Sequence, residues 1–196
     1  MSKGRGPGQR AGLTREAVLA AAREQLTEGG LDGLTMRALA RRLAVAPNAL
    51  YSHVSGKTGL VDELLDELLA SVRTPDGDVD DPVAGLTEVM ASTYAVLTAH
   101  PDVVPLYLAR QGARGPNAVR LGEVMDVLLV RAGVTGPAVA EARRVLIIHT
   151  IGSAAFATSA PDDERPIPAD ESRRSFAQSL RWLLTGIARP EPDPLR

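Results

Sequence analysis

The sequence predicts an all-α fold in two parts. Apolar residues recur at helical spacings of three and four along most of the 196 residues. Proline and glycine stand at the boundaries between these segments, and no run of alternating β-branched residues indicates a strand. We therefore expect roughly nine helices and no sheet.

The first predicted helix covers residues 14–28. Val18, Ala22 and Leu26 fall on one face at i, i+4 and i+8, and glycines at positions 29 and 30 stop the helix. The preceding residues 1–11 are rich in glycine and basic side chains, so we expect a disordered basic tail there.

Residues 34–60 predict two short helices joined by a tight turn. Thr35 is placed to cap the first helix by accepting from its free N–H groups, and Leu39 lies on the inner face. Pro47 suits the start of the second helix, because proline lacks only an N–H that would be free there. Leu50 and Val54 anchor this second helix. Its outward positions hold Pro47, Asn48, Ala49 and Ser52.

A helix-turn-helix with small outward side chains is the arrangement that reads the DNA major groove. Small side chains approach base edges closely; asparagine can hydrogen-bond adenine, and alanine can contact a thymine methyl. Residues 1–57 hold nine Lys or Arg against four acids, a net of +5, whereas the rest of the chain has a net of −7. A basic end on an acidic body is typical of a DNA-facing domain.

This stretch resembles the DNA-binding domain of the tetracycline-repressor (TetR) family of transcriptional regulators. The resemblance covers about the first third of the chain: residues 13–35 are similar to the family's first helix, and beyond Leu69 only the helical layout and the length are similar. The matching residues of the motif are Thr35, Arg37, Leu39, Ala40, Leu43, Val45, Leu50, Tyr51, His53, Val54, Lys57 and Leu60.

The resemblance implies a double-stranded DNA operator as partner, and a role for each matching position. Arg37 would reach a guanine from the helix before the turn. The base-reading positions hold Pro47, Asn48 and Ala49. Phosphate contacts, which position the domain without specifying sequence, are implied for Thr35, Tyr51, His53 and Lys57. Plainer interpretations stay open, with Tyr51 partly in the core, His53 a surface side chain, and Arg41 with Arg42 a solvated face.

Two departures from the family pattern matter. Most members have glycine where Ala44 stands, so a left-handed backbone there would cost about 1 kcal/mol. The tetracycline repressors proper have glutamine at the position of Pro47 and a large aromatic residue at that of Ser52. We therefore expect an operator sequence different from theirs.

The remaining helices are marked by proline and capping signals. A fourth helix is predicted over residues 57–72, with a solvated polar face made of Asp62, Glu63, Asp66 and Glu67. An acidic linker at 74–81 follows. Further helices are predicted at residues 82–99, 102–109, 116–132, 137–158 and 170–187, with a loop at 159–169.

The last two predicted helices look like a dimer surface. The first holds apolar residues followed by the small residues 152–155, and the second is broadly apolar, with Trp182 off its main stripe. Two such helices from each of two subunits would form a four-helix homodimer interface, as in the family. The alternative is that both are ordinary core helices of a monomer.

The resemblance also implies a small-molecule effector site inside the C-terminal bundle. The candidate lining residues are Met90, Tyr94, Leu97, Tyr107, Met125, Leu129, His149 and Phe156. A buried His149 needs a hydrogen-bond partner, which is more often a protein group than a ligand. The tetracycline repressors hold a metal-bound drug with a pocket histidine, and that position falls near Leu106 here. We therefore expect an aliphatic or mixed pocket and no tetracycline–magnesium.

Composition and motifs limit the other function classes. With no cysteine, neither a disulfide framework nor a thiolate metal site is possible. No apolar run approaches the ~18 residues that cross a bilayer, and the basic N-terminus is not followed by a signal-peptide core, so we predict a cytoplasmic protein. Phosphate-binding glycine loops, HExxH and nucleophile elbows are missing from the sequence, and we expect no enzyme, no cofactor and no metal site.

We therefore predict a repressor that a small molecule releases from a palindromic operator. The alternative is a constitutive helical DNA-binding or scaffolding protein without small-molecule control, and an enclosed cavity of a few hundred Å³ would favour the first. The predicted organisation is a tail at 1–11, the helix-turn-helix domain at 12–58, a connecting helix at 59–73, a ligand-binding and dimerisation domain at 74–190, and a tail at 191–196.

Overall fold

The computed structural model describes residues 13–75, 79–159 and 167–188. In these ranges the regular structure consists of nine α-helices and one 3-10 turn, without a strand, which confirms the all-α class. None of the helices described is long and apolar enough to span a bilayer. The predicted tails, the middle of the acidic linker and most of the 159–169 loop lie outside the described residues.

The helix bounds follow the predicted ones closely. A 3-10 turn at Pro101–Val103 precedes the sixth helix. In chain order the helices are α1 Arg15–Gly33, α2 Met36–Arg42, α3 Pro47–Leu50, α4 Lys57–Leu69, α5 Pro82–Ala99, α6 Val104–Arg110, α7 Pro116–Arg131, α8 Ala138–Thr158 and α9 Ala169–Ile187.

The chain divides into two compact units, Met1–Leu60 and Val61–Arg196, and the division falls within α4. In the first unit α1 packs against α2, and α2 against α3. The three residues predicted to face inward from α1 are at most 1% exposed; they are Val18, Ala22 and Leu26. The predicted stop at positions 29 and 30 is instead a kink, since Gly30 leaves helical geometry (φ 60°, ψ −163°) and a further turn runs to Gly33.

In the second unit α5 packs against α7, α8 and α9, and α8 packs against α6, α7 and α9. Asp81 starts α5 as predicted, because its carboxylate accepts from the N–H groups of Val83 and Ala84 at 2.9 and 3.1 Å. The core between these helices is aliphatic. Its most deeply buried large side chains include Leu86, Leu97, Met125 and Leu129.

Candidate DNA interface and effector cavity

The turn between α2 and α3 is fixed at both ends. Thr35 Oγ1 accepts from the Ala38 N–H at 3.1 Å, which is the predicted helix cap. After α2, Ala44 has a φ of 53°, and the Val45 N–H donates to the Ala40 carbonyl at 3.0 Å. This is the left-handed helix end at which glycine is preferred. Ala44, which stands where most family members have glycine, therefore does adopt the strained left-handed backbone.

The outward surface after the turn matches the predicted one. Leu50 and Val54 are buried. After α3 the N–H groups of His53 and Val54 both donate to the Leu50 carbonyl, so the chain continues in hydrogen-bonded turns. Among the predicted base-reading residues, Pro47, Asn48 and Ser52 are exposed and Ala49 is half-buried.

Two of these residues offer different hydrogen-bonding groups. The Ser52 hydroxyl donates to the Ala49 carbonyl at 2.7 Å, so it can offer DNA only its acceptor lone pairs. The side chain of Asn48 makes no hydrogen bond to any residue described, so its amide keeps both donor and acceptor for a base edge. Of the outward residues, Asn48 is thus the one suited to bidentate contact with an adenine.

The predicted phosphate-contact residues are accessible. Tyr51 is 56% exposed, which excludes the alternative of a core side chain. Thr35, Arg37 and Lys57 are exposed, and His53 is half-buried. The Lys57 ammonium donates to the Leu31 carbonyl at 3.1 Å and keeps two protons for other acceptors.

Arg42 is exposed, as the plainer interpretation of Arg41 and Arg42 expected, but it also makes specific ion pairs. Its guanidinium pairs with Glu24 at 3.0 Å and makes a second, shorter contact with Glu28. The hydrogen bond to Glu28 raises the pKa of Arg42. Arg42 therefore links α2 to α1, and Arg41 is exposed as expected.

Two of the four α4 carboxylates predicted to be solvated, Asp62 and Asp66, instead accept hydrogen bonds from the C-terminal unit, whereas Glu67 is exposed as predicted. Asp62 accepts two hydrogen bonds from the Arg110 guanidinium, both at 2.8 Å, and this contact raises the pKa of Arg110. Asp66 is buried and accepts from the N–H and the side-chain amide of Asn117 at 3.2 and 3.0 Å, and from the Ala118 N–H at 2.9 Å. Within the described ranges no group of three His, Cys, Asp or Glu side chains is placed to hold a metal ion.

Asp66 holds the N-terminus of α7, where free N–H groups and the helix dipole favour a negative charge. Gly115 precedes this helix with a φ of 150°, and a Cβ built on it would lie 2.5 Å from the Asp66 carboxyl carbon. Only glycine allows the approach. A second bond holds α4 nearby, because the Tyr107 hydroxyl of α6 donates to the Leu65 carbonyl at 2.6 Å, and burial raises the pKa of Tyr107.

A cavity of about 180 Å³ lies in the C-terminal unit, partly open to solvent. Its walls come from the end of α4, from α5 to α8, and from the loop after α6. Its lining contains no charged side chain. The lining residues are Leu69, Val89, Met90, Thr93, Leu97, Tyr107, Gln111, Gly112, Ala113, Ala118, Leu121, Gly122, Met125, Ile147, Thr150 and Ile151.

Four of the eight predicted lining residues line this cavity: Met90, Leu97, Tyr107 and Met125. The other four lie elsewhere. Leu129 is fully buried among core side chains, and Tyr94 stacks on Phe176 of α9 with ring centres 4.2 Å apart. His149 faces α9, and Phe156 is 71% exposed. On α8 the cavity is lined by Ile147, Thr150 and Ile151. At about 100° per residue, His149 and Phe156 lie at least about 100° from all three, so neither shares that face.

His149 has a protein partner, as the plainer interpretation expected. Its Nε2 lies 3.0 Å from the Ser179 hydroxyl, and its ring stacks on Phe176 at 5.5 Å. Burial lowers the pKa of His149, which favours the neutral ring.

Sequence reasoning missed the polar part of the lining. Thr93 lies one turn from Met90 and Leu97, so the apolar stripe itself could have located it. Gln111 and Ala113 follow no periodic signal, because they belong to a loop. The hydroxyls of Thr93 and Thr150 donate to carbonyls of their own helices at 2.8 and 2.9 Å.

Comparison with known proteins agrees with this geometry. Residues 18–64 match the family model described as bacterial regulatory proteins, tetR family. A transcriptional regulator of Saccharopolyspora erythraea is 34% identical over 169 residues, covering 86% of this chain and 70% of that protein. The class D tetracycline repressor of Escherichia coli is 50% identical over 58 residues, only 30% of this chain and 27% of the repressor.

Among solved structures, the regulator BioQ with its double-stranded DNA operator is 29% identical and superposes with a TM-score of 0.70, over 90% of this chain and 98% of BioQ. The similarity thus extends over both compact units and is not confined to the helix-turn-helix. The chain belongs to the TetR family of transcriptional regulators.

Proposed function

We propose that this chain is a homodimeric repressor that leaves a palindromic operator when a small molecule enters the cavity. The proposal rests on the hydrogen bonds that the Asp66 carboxylate accepts from the N-terminus of α7. Ala118, one of the donors, also lines the cavity. The bonds therefore connect a cavity wall to α4, whose first turn belongs to the DNA-binding unit.

The effector is an uncharged, largely apolar molecule. The cavity walls carry no charge, and the Thr93, Thr150 and Tyr107 hydroxyls already donate to protein groups. A charged ligand would lose its hydration there without gaining a partner. Gln111, at the loop, is the lining side chain with an amide to offer a ligand.

The size of the cavity means that a larger effector can enter only with a conformational change. About 180 Å³ accommodates little more than one benzene-sized ring, whereas ligand sites commonly reach about 300–1,000 Å³. A larger effector has to displace part of the wall, and we assign this movement to the non-helical loop of Gln111, Gly112 and Ala113 that leads into α7. Moving this loop breaks the bonds to Asp66 and frees α4 to tilt. A ligand drives the change only by its greater affinity for the displaced state.

The DNA contacts follow from accessible groups of the first unit. We assign Arg37 to a guanine and Asn48 to an adenine, with Pro47, Ala49 and the acceptor of Ser52 along the same groove. We assign phosphate contacts to Thr35, Tyr51, His53 and Lys57. The exposure of Thr35, Tyr51 and Lys57 supports this assignment, and His53 is half-buried.

Homodimer formation is supported by an exposed apolar face on the last two helices. Ile148 and Phe156 of α8 are 63% and 71% exposed, and Trp182 of α9 is 68% exposed. Gly152 lies between the two α8 residues with open space where a side chain would be. Such a face on a monomer is unusual unless a partner covers it. A two-fold dimer would place its two reading helices about 34 Å apart, or a multiple of it.

The chain then acts by binding and not by catalysis, in the cytoplasm where its operator lies. A relative that matches 86% of this chain is named as a transcriptional regulator, which supports this assignment.

Selection of bound sequences from a random DNA pool should return a palindrome, and sedimentation should find a dimer at micromolar concentration. Uncharged ring compounds found in a thermal-shift screen should then release this palindromic operator, labelled with a fluorophore, from the protein. Thr93→Leu, which reduces the cavity, should remove this release and leave operator affinity unchanged. Thr135→Leu, exposed between α7 and α8, is the matched control. Operator binding that no uncharged compound weakens would instead support the constitutive alternative.

A further inference from the structure

A second, larger concavity lies on the other side of α5 from the effector cavity. This α5–α9 groove has a volume of about 610 Å³. Small side chains keep it open: Ala91, Ala95 and Ala99 on α5, and Ala169 and Ala177 on α9. They repeat at spacings of four and eight, so each set shares one helix face. The groove is therefore long and apolar.

The groove lining includes an aromatic pair. Tyr94 and Phe176 stack with ring centres 4.2 Å apart and planes within 9°. Although Tyr94 is 95% buried, its hydroxyl makes no hydrogen bond to any described residue. Burial raises the pKa of Tyr94, so the phenol stays a donor at neutral pH.

A guanidinium lies in the same groove lining. Arg173 and Tyr94 both line the groove, and the positive charge of Arg173 opposes the upward shift of the Tyr94 pKa. Arg173 is exposed and has no carboxylate partner among the residues that the structure describes, and the groove lining contains no acid. Its neighbour Arg174 differs, because it pairs with Asp170 at 2.9 Å.

The proposed dimer face does not cover the groove. At about 100° per residue, Ala177 and Trp182 lie about 140° apart around α9. The groove also uses a separate face of α5 from the effector cavity, which takes Met90, Thr93 and Leu97.

We propose that the α5–α9 groove binds an amphipathic organic acid, with the carboxylate on Arg173 and the Tyr94 hydroxyl and the apolar body along the alanines. Arginine and a phenol are complementary to a carboxylate, because both present donors and neither presents a competing negative charge. An apolar tail covers the alanine floor and gains affinity in proportion to the area buried. The site is independent of the effector cavity, which lacks a charged group.

Decanoate and decan-1-ol are suitable probes, because they share a tail and differ in the head group. Isothermal titration calorimetry should find one decanoate per chain, bound about tenfold more tightly than decan-1-ol. A tenfold ratio corresponds to the weakest hydrogen bonds made to charged groups, which we expect because Arg173 is exposed. Arg173→Gln should weaken decanoate about tenfold and leave decan-1-ol unchanged. The matched control Arg174→Gln should change neither.

Two further variants locate the probe. Ala95→Leu, which fills the floor of the groove, should abolish binding of both probes, whereas Thr93→Leu in the effector cavity should abolish neither. Circular dichroism checks that each variant is folded. Equal affinity for the two probes, an Arg173→Gln protein that binds decanoate like the wild type, or loss of decanoate in Thr93→Leu would each overturn the proposal. Its failure would leave the proposed repressor function untouched, because operator release is measured with uncharged effectors.

Discussion

The substitution Asp66→Asn tests the link between α4 and α7 most directly. An asparagine can keep the bond from the Ala118 N–H through its remaining oxygen. Its amide nitrogen would then face the two donors of Asn117, where the carboxylate accepts at 3.2 and 3.0 Å. Two bonds to a charged acceptor are lost, each worth about 1.5–3 kcal/mol.

The half-buried Asn117 side chain can turn towards water, so only the loss at its backbone N–H is uncompensated. We therefore expect the free energy of unfolding to fall by about 2–3 kcal/mol. Urea denaturation followed by circular dichroism should show a midpoint lower by about 1 M. The control is Glu123→Gln on the exposed face of α7, for which we expect a change within about 0.5 kcal/mol.

The same variant should respond to effector at lower concentration, because the displaced loop no longer costs the bonds to Asp66. Operator release measured by fluorescence anisotropy gives this midpoint. If Asp66→Asn unfolds at the same urea concentration as Glu123→Gln, the two bonds from Asn117 contribute little and do not make the link between α4 and α7. A destabilised variant with an unchanged effector midpoint would mean that α7 is held by Asp66 but does not transmit the signal.

Four further substitutions test the site. Arg37→Ala should weaken operator binding by about 1–3 kcal/mol and relax preference at one base pair of each half-site. Lys57→Ala should weaken all sequences alike and lower the slope of log affinity against log salt by about 0.9 per contact; a change of base preference in this variant alone would reverse the two roles. Ala44→Gly should stabilise the first unit by about 0.5–1 kcal/mol by relieving the left-handed backbone, less the entropy that glycine adds to the unfolded chain, and an unchanged urea midpoint would argue against strain. Burial lowers the pKa of His149 below 6.5, so the unfolded chain binds more protons than the native one and stability should fall as pH drops through 6.5. His149→Gln should remove this contribution to the dependence of stability on pH, which urea midpoints at about pH 7.5 and 5.5 would measure.

Local signals in the sequence predicted the DNA-binding unit well. Thr35, four residues before the inward Leu39, caps its helix as expected, and Pro47 starts the next one. These features depend on residues within one or two turns, which is the range over which propensity and capping act. The exposed Asn48 and the left-handed Ala44 follow from the same short stretch.

The C-terminal unit was predicted less well, because its contacts join distant residues. Asp66 and Asn117 are 51 positions apart, and nothing in the spacing of α4 distinguishes a buried carboxylate from a solvated one. His149 and Tyr94 were assigned to the cavity from their apolar surroundings. A helix that is apolar on several faces has no single apolar stripe. Periodicity alone therefore could not say which face meets the cavity and which meets α9.

The close approach at Gly115 also limits how this regulator can evolve. Any side chain at that position would collide with the Asp66 carboxyl group, so substitutions there disrupt the junction between α4 and α7. Ala113, in the same loop, faces the cavity without such a constraint; Gln111 also faces it, but with a left-handed backbone (φ 56°) that β-branched residues disfavour. Variation in effector preference can therefore accumulate at positions 111 and 113 while position 115 stays fixed. A library designed to change the inducer should randomise position 113, vary position 111 without β-branched residues, and leave position 115 as glycine.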